Sequence, residues 1–442
     1  MTEDLDPRDV LTEEDLKEAW VLFSPDDRAL GFSSLPRAEA EDFYLGLSAR
    51  EQADLVLSLP PDQRRSWVRM LPPDDAADLV QEAAPEQREA ILGLLDDVTR
   101  KEVTALLAYA EDEAGGLMNP RFARVRPDMT VDEAISYLRR QARDRVETIY
   151  YAYVLDDQQR LVGVATFREL FSAPPGRRVR EVMTTDVVAV TEDMDQEAVS
   201  RVFAEHDLNA IPVVDPEGRM KGIVTVDDIV DVVEEEATED IQKFGGMEAL
   251  EAPYLDVRLG AMVRKRAGWL SALFLGEMLT ATAMAFFEDE IARAVVLAVF
   301  LPLIISSGGN SGSQASTLVI RAMALGEVRL RDWWRVMRRE LASGIMLGAI
   351  LGVIGFVRIV VWEQVFHAYG DHYVLLAFTV GTSLVGVVLL GTLAGSLLPF
   401  LLRRLGLDPA SASAPFVATL VDVAGVLIYF LMASLLLGGA LL

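Results

Sequence analysis

Five long apolar runs follow residue 266, and they constrain the fold of this chain more than any other feature of its sequence. A helix needs about 20 predominantly apolar residues to cross the hydrocarbon core of a bilayer. Backbone amides inside lipid find no water, so helices that satisfy their own hydrogen bonds are the expected structure for such runs. The sequence therefore predicts five transmembrane helices, at about 267–287, 291–323, 341–362, 373–402 and 414–441.

Charge divides the chain at the same point. Residues 1–266 contain 57 acidic and 31 basic side chains, whereas residues 267–442 contain 11 acidic and 10 basic ones. A strongly acidic surface repels phosphate groups, which argues against nucleic acid as a partner and favours divalent cations as counter-ions. The chain has no cysteine and only three histidines. Oxygen atoms are therefore the main metal ligands that remain, and they suit Mg²⁺, Ca²⁺ or Mn²⁺.

Basic residues flank the apolar runs asymmetrically. They cluster before the first run, between the second and third, and between the fourth and fifth, at Arg264–Arg266, Arg329–Arg339 and Arg403–Arg404. The other two loops carry almost no lysine or arginine. Because positively charged loops stay on the cytoplasmic side, we expect residues 1–266 to be cytoplasmic and Leu442 to emerge outside.

Polar residues interrupt three of the apolar runs. Asp422 lies in the last run, and a carboxylate in hydrocarbon costs several kcal/mol unless it faces water, a partner or an ion. It is the first functional candidate; a protonated or paired acid inside a helix bundle is the alternative. The second run carries Asn310 and Gln314 among glycines and serines. That stretch indicates either the lining of a water-filled cavity or close helix packing. Glu277, in the first run, has no partner nearby in the sequence.

Residues 47–110 repeat about every twelve positions, and three of the four repeats carry a proline near the first helical position. Proline there, followed by acids in the first turn, marks the start of a helix. The pattern predicts a superhelical stack of short helices. We interpret Asp42, Asp74 and Asp78 as part of a solvated face, with cation bridging as the alternative.

A second repeat covers residues 118–240 in two copies. Tyr153–Asp156 and Gly163–Thr166 recur 59 positions later as Pro212–Asp215 and Gly222–Thr225. Each copy is typical of strand, helix, strand, turn, strand and helix. The pattern resembles a tandem pair of cystathionine-β-synthase (CBS) domains, which are α+β modules.

The resemblance to CBS domains implies a nucleotide site in the second copy. In that family a threonine and an aspartate three residues apart hold the ribose of an adenine nucleotide, and Thr225 and Asp228 fit this pattern. The first copy has Thr166 and Glu169 instead. The alternative is that Asp228 only caps the last helix.

An acidic segment leads from this repeat to the first apolar run. It is rich in glutamate from residue 234 onward and ends in the basic Arg264–Arg266. Charge runs are usually solvated, but this one lies between a candidate sensor and the first membrane span. We therefore predict an acidic helix that couples the two.

The order of these parts resembles the MgtE-type magnesium channels over nearly the whole chain. The most specific motifs are Ser307–Gln314, Leu398–Pro409 and Val417–Gly425, with departures at Ser306 and Ser313, where glycine and asparagine are common in the family. The resemblance implies a multidomain protein: an α-helical N-terminal superhelical domain, a tandem CBS pair, a long acidic connecting or plug helix and an all-α transmembrane domain of five helices. We place these parts at 1–112, 113–178 and 179–240 (the two CBS copies), 241–264 and 265–442.

The resemblance also implies a homodimer in the plasma (inner) membrane of a bacterium, surrounded by lipid, with one pore along the dimer axis. The second and fifth spans would line it. Asp422 would hold hydrated Mg²⁺ near the carbonyl of Ala418. The remaining pore-lining residues would be Gly309, Asn310, Ser313 and Gln314.

The family further suggests a cytosolic Mg²⁺ sensor that closes the pore, possibly together with ATP at the CBS pair. Clustered carboxylates repel, so a closed arrangement is favourable only when cations neutralise them. The matching regulatory positions are Asp42, Asp74, Asp78, the carbonyl of Gly116, Asp215, Glu217, Asp227, Glu248, Glu251, Asp256 and Asp408.

Two other functions remain open from the sequence: a cation-coupled divalent exchanger, and a membrane-anchored nucleotide or metal sensor that transports nothing. An enzyme is not expected, because the sequence contains no nucleophile motif, metal-hydrolase motif or phosphate-binding loop.

Overall fold

The computed structural model describes residues 12–142, 150–250, 254–255 and 257–438. The chain forms two compact units, Met1–Glu234 and Glu235–Leu442.

Short helices form the N-terminal part of the first unit, as the twelve-residue repeat predicts. Several begin with proline in the first turn, and others begin with a side-chain cap, such as Ser48 with Glu51. The helices bury an aromatic cluster in which the ring centroids of Phe32 and Trp67 lie 4.7 Å apart. They are α1 (Glu13–Ala19), α2 (Pro25–Ser34), α3 (Arg37–Leu45), α4 (Ala49–Ser58), α5 (Pro61–Val68), α6 (Pro73–Glu82), α7 (Pro85–Leu92) and α8 (Asp97–Leu106).

Two matching three-stranded sheets complete the first unit. In each sheet a short strand pairs in parallel with the first strand of an antiparallel hairpin. Tyr151 pairs with Thr166 in the first hairpin, and Ala210 pairs with Thr225 in the second, so the 59-residue sequence offset is also the offset in strand register. The elements are α9 (Ala114–Leu117), β1 (Arg124–Val125), α10 (Val131–Gln141), β2 (Tyr151–Leu155), β3 (Leu161–Thr166), α11 (Phe167–Ser172), β4 (Val190–Thr191), α12 (Gln196–His206), β5 (Ala210–Val214) and β6 (Met220–Thr225).

The acidic connecting helix lies earlier in the chain than the predicted range 241–264. It is α13 (Val226–Phe244). The helix ends at Gly245-Gly246, because Gly246 has a φ of +75°, a left-handed conformation that favours glycine. The next helix begins only at Leu259. The predicted range therefore contains two helix segments and a turn rather than one continuous helix.

Among the described residues of the second unit, five helices are long and apolar enough to cross a membrane. α18 packs against α16, α17 and α19, whereas α14 packs against α19. The short α15 precedes α16, so the second span begins at Val296 rather than near residue 291. The helices are α14 (Leu259–Phe286), α15 (Glu288–Arg293), α16 (Val296–Ala324), α17 (Trp333–Phe366), α18 (Tyr373–Arg404) and α19 (Ala414–Leu437).

Candidate metal centres and nucleotide site

Asp422 lies on α19 with its side chain only partly buried. Its carboxyl group lies beside the carboxyl group of Glu277 on α14. The two helices approach closely one turn away, because a Cβ atom added to Gly276 would lie 2.6 Å from Cγ2 of Thr419. Glu277 thus has a partner that the sequence did not reveal, since the two acids are far apart in the chain and only the α14–α19 contact brings them together.

Gly309 and Ala418 are neighbours across the α16–α19 contact. A Cβ atom added to Gly309 would lie 3.5 Å from Cβ of Ala418, an ordinary van der Waals distance. Ala418 is one turn of α19 before Asp422. Two of the predicted site residues of α16 and α19 are therefore adjacent, next to the carboxylate.

The glycine-rich stretch of α16 has two faces, and each of the alternative interpretations applies to one of them. Gly308 and Gly312 face α18 and α19, where an added Cβ would collide with Val387, Val421, Val417 and the carbonyl of Gly391. This face is close helix packing through small residues. Asn310 and Gln314 lie on the exposed face of the same helix. Ser313 lies between the faces and donates a hydrogen bond from Oγ to the Gly309 carbonyl at 2.9 Å.

The first unit contains a cluster of carboxyl groups on α6 and the start of α13. Asp74 is buried, and Nδ2 of Asn119 donates to its Oδ1 at 3.1 Å. Burial raises the pKa of Asp74 to about 7, and the charge of Asp75 adds to this increase. Burial, followed by the charge of Asp74, raises the pKa of Asp228 to about 7. Each ionised group makes ionisation of the others less favourable, so binding of protons or cations lowers the electrostatic free energy of the cluster.

Two further aspartates of α6 belong to the same cluster. Burial, followed by the charges of Asp228, Asp227 and Asp231, raises the pKa of Asp75 to about 6. Burial and the charges of Asp74 and Asp75 raise the pKa of Asp78 well above its usual range. Asp75 was not predicted as a site residue from the sequence, because an acid in the first turn of a helix is most often a solvated group that interacts favourably with the helix dipole.

The other predicted regulatory residues of the first unit differ from one another in exposure and in hydrogen bonding. Asp42 and Glu217 are exposed. Asp215 is buried in the β5–β6 turn, and its Oδ1 accepts hydrogen bonds from the backbone amides of Glu217 at 3.1 Å and Arg219 at 2.8 Å. Gly116 is also buried, and an added Cβ there would lie 2.5 Å from the carbonyl oxygen of Ala110.

In the second unit, Asp408 pairs with Lys243, whose Nζ lies 2.7 Å from its Oδ2. Glu248 is exposed, in the turn that follows α13. Glu251 and Asp256 lie outside the described residues. Across the described parts of both units, no three carboxylate or imidazole side chains are arranged as a preformed cage for a metal ion.

Thr225 and Asp228 contact each other at the junction of β6 and α13. Oγ1 of Thr225 donates to Oδ2 of Asp228 at 2.6 Å, and the backbone amide of Thr225 donates to the same oxygen at 3.1 Å. Thr166 and Glu169 form the equivalent contacts in the first copy. Both pairs therefore cap a helix start, which is the alternative role foreseen for Asp228.

Three family models match different parts of the chain. Residues 11–112 match the family model "MgtE intracellular N domain". Residues 114–176 and 179–235 match "CBS domain". Residues 301–432 match "Divalent cation transporter".

Individual relatives match along most of the chain. The magnesium transporter MgtE of Thermus thermophilus is 45% identical over 436 residues, which are 97% of this chain and 95% of that protein. The magnesium transporter MgtE of Enterococcus faecalis is 35% identical and matches 76% of this chain and 71% of its own length. A solved structure, the cytosolic domain of the Mg²⁺ channel MgtE in complex with ATP, is 45% identical, covers 50% of this chain and 90% of its own, and has a TM-score of 0.47. The 45% identity over nearly the full chain, together with the three family models matched, shows that the chain belongs to the MgtE family of magnesium transporters.

Proposed function

We propose that this protein is a Mg²⁺-selective channel that mediates Mg²⁺ uptake as a homodimer. The observation that carries the proposal is the position of Asp422, a partly buried carboxyl group in an apolar helix, one turn from the Gly309–Ala418 contact. A carboxylate at membrane depth is expected to serve an ion or proton path. The 45% identity to a magnesium transporter over nearly the full chain supports Mg²⁺ as the ion.

The chemistry of the ion favours a hydrated site. Mg²⁺ gives up its water reluctantly and binds through one or two carboxylates and retained waters. Two Asp422 side chains, one from each copy, would supply two such carboxylates across a two-fold axis. The carbonyl of Ala418 would accept hydrogen bonds from the water shell of the ion. The exposed side-chain amides of Asn310 and Gln314 would donate to these waters and accept from them, with Gly309 and Ser313 beside them.

Closure by cytosolic Mg²⁺ is the second part of the proposal. The carboxyl groups of the buried Asp74 and the half-buried Asp75, Asp78 and Asp228 have raised pKa values because they are removed from water beside one another. Mg²⁺ bound to them would offset this repulsion and favour the arrangement that holds them together. The other regulatory ligands that we propose are Asp42, Gly116, Asp215, Glu217, Asp227, Glu248, Glu251, Asp256 and Asp408.

Adenine nucleotide is the proposed second effector. Thr225 and Asp228 lie together at a strand-to-helix junction, which is where the CBS resemblance expects ribose contacts. Because Asp228 belongs to the carboxylate cluster, a nucleotide that contacts it would change the Mg²⁺ affinity of the same cluster.

The proposal places the protein in the bacterial inner membrane, with the first unit in the cytoplasm and Leu442 outside. The basic residues Arg264–Arg266 in the first turns of α14, and Arg329 and Arg331 between α16 and α17, support this orientation.

Purified protein in liposomes tests the function. We expect Mg²⁺ flux that follows the Mg²⁺ electrochemical gradient. The flux should stop when the Mg²⁺ concentration rises on the side of the membrane that carries the first unit. A current whose reversal potential follows the proton or sodium gradient would instead indicate an exchanger. Liposomes that pass no divalent cation would indicate a membrane-anchored sensor.

A further inference from the structure

Lys243, in the last turn of α13, forms two ion pairs in the second unit. Its Nζ lies 2.7 Å from Oδ2 of Asp408, and it also pairs with Glu239 one helical turn earlier. The ammonium group of Lys243 therefore lies between two carboxylates at the end of α13.

Asp408 connects this charge to the start of the last span. Residues 405–413, here called the connector, join α18 to α19. The other carboxylate oxygen of Asp408 accepts a hydrogen bond from the amide of Ala410 at 2.8 Å and caps a short 3-10 turn. Oγ of Ser316 on α16 donates to the carbonyl of Ala412 at 2.8 Å. The connector is thus fixed to α16 and leads directly into α19, the helix of Asp422.

Apolar contacts reinforce the ion pair. Phe244, next to Lys243, packs against Ile320 of α16 and against Ala410 and Ala412 of the connector. Two residues later, an added Cβ at Gly246 would lie 2.7 Å from Nε1 of Trp269 and 3.2 Å from Pro415. The end of α13 therefore touches α14, α16 and the beginning of α19 within four residues.

We infer that Lys243 is a positioning residue: a fixed cation that holds the end of α13 on the connector and transmits the state of α13 to α16 and α19. The inference rests on the proposed function, because it concerns how cytosolic Mg²⁺ closes the channel. It also assigns Asp408 a partner within the chain, since Lys243 supplies the positive charge beside its carboxylate. Without this ion pair, the end of α13 is held less firmly and closure requires more Mg²⁺.

The test measures Mg²⁺ flux into liposomes that contain the full-length protein, while Mg²⁺ is varied on the side of the soluble unit. In Lys243→Met we expect the half-closing Mg²⁺ concentration to rise about fivefold, the lower limit of typical couplings between sites. The flux at low Mg²⁺ stays at the wild-type value, because Lys243 is outside the ion path. The control Lys243→Arg keeps the charge and closes at the wild-type concentration.

A charge reversal separates the positioning role from metal binding by Asp408. Lys243→Asp and Asp408→Lys each raise the half-closing concentration, and the double variant closes at a lower concentration than Asp408→Lys alone, because the exchanged charges attract each other again. A double variant as impaired as the two single changes combined would overturn the inference. Closure of Lys243→Met at the wild-type concentration, or at a lower one, would overturn it too. In either case wild-type protein that conducts and closes leaves the proposed function intact, whereas wild-type protein without flux refutes that function itself.

Discussion

The side-chain amide of Asn119 donates a hydrogen bond to the carboxyl group of Asp74 at 3.1 Å, and both side chains are buried. The contact joins the helical repeat to the CBS pair within the first unit. It is further fixed because the backbone of Asn119 pairs with that of Ile223 through N–H and C=O. A buried carboxyl group thus depends on a donor from a different domain.

Asn119→Ala is therefore expected to destabilise the first unit. Loss of a buried hydrogen bond to a charged group costs about 2 kcal/mol, because the acceptor stays buried without its donor. For a unit of this size the melting temperature falls by roughly 4–8 °C. Circular dichroism of the purified protein measures this change. Asn209→Ala, at an exposed position, serves as the control and should melt like wild type.

The carboxylate cluster predicts a pH-dependent stability that Mg²⁺ reverses. Asp74 and Asp228 titrate at about 7 and Asp75 at about 6 in the folded protein. In the unfolded chain the same groups titrate at about 4. The folded state therefore binds more protons between these values, and stability falls as pH rises through this window.

Thermal melts without Mg²⁺ should show a falling melting temperature of the first unit from pH 4 to pH 8. Added Mg²⁺ should raise it much more at pH 8, where the carboxylates are ionised, than at pH 5. In Asp75→Asn both effects become smaller. A melting temperature that rises steadily with pH in the absence of Mg²⁺ would contradict the assignment of the cluster.

The crossing of α16 and α18 depends on glycine. A Cβ atom added to Gly395 would collide with the carbonyl oxygen of Gly312, and one added to Gly391 would collide with that of Gly308. Backbone cannot move aside as a flexible side chain can, so Gly395→Ala should prevent correct packing of the second unit. Size-exclusion chromatography in detergent should show aggregation or loss of the protein. Gly260→Ala, which has no atoms within 4 Å of the added Cβ, should behave as wild type.

Nucleotide binding is expected to depend on the second CBS copy. Asp228→Asn removes the carboxylate proposed to bind the ribose hydroxyls, and we expect ATP affinity to fall about tenfold, as for loss of a hydrogen bond to a charged group. Isothermal titration calorimetry measures this affinity. Glu169→Gln changes the equivalent helix cap in the first copy and should leave it unchanged. Equal losses in both variants would argue against a site in the second copy alone.

The sequence predicted the elements of this fold better than their contacts. The 59-residue repeat gave the register of both hairpins, because identical patterns of apolar and turn residues impose the same pairing. Apolar length gave five spans. The position of the connecting helix was less accurate, because an acidic run continues past Gly245-Gly246 while the backbone turns there.

Contacts between residues far apart in the chain could not be predicted from sequence patterns. Glu277 and Asp422 lie side by side because α14 packs against α19, closely at Gly276. Lys243 and Asp408 are 165 residues apart in the chain. From the sequence, Asp75 is an ordinary acid in the first turn of a helix, whereas in the structure burial, followed by the charge of the nearby Asp228 of α13, raises its pKa. Each of these contacts is determined by how the helices pack against one another, and local sequence propensity carries no information about that packing.

The most direct measurement of the central claim is Mg²⁺ influx into liposomes that carry the Asp422→Asn variant. We expect this variant, folded like the wild type, to pass Mg²⁺ no faster than empty liposomes, because the carboxylate proposed to hold the hydrated ion is gone. The control Asp371→Asn, in an exposed loop between α17 and α18, conducts normally. Mg²⁺ influx at the wild-type rate in Asp422→Asn would show that Asp422 is not the ion site of the pore.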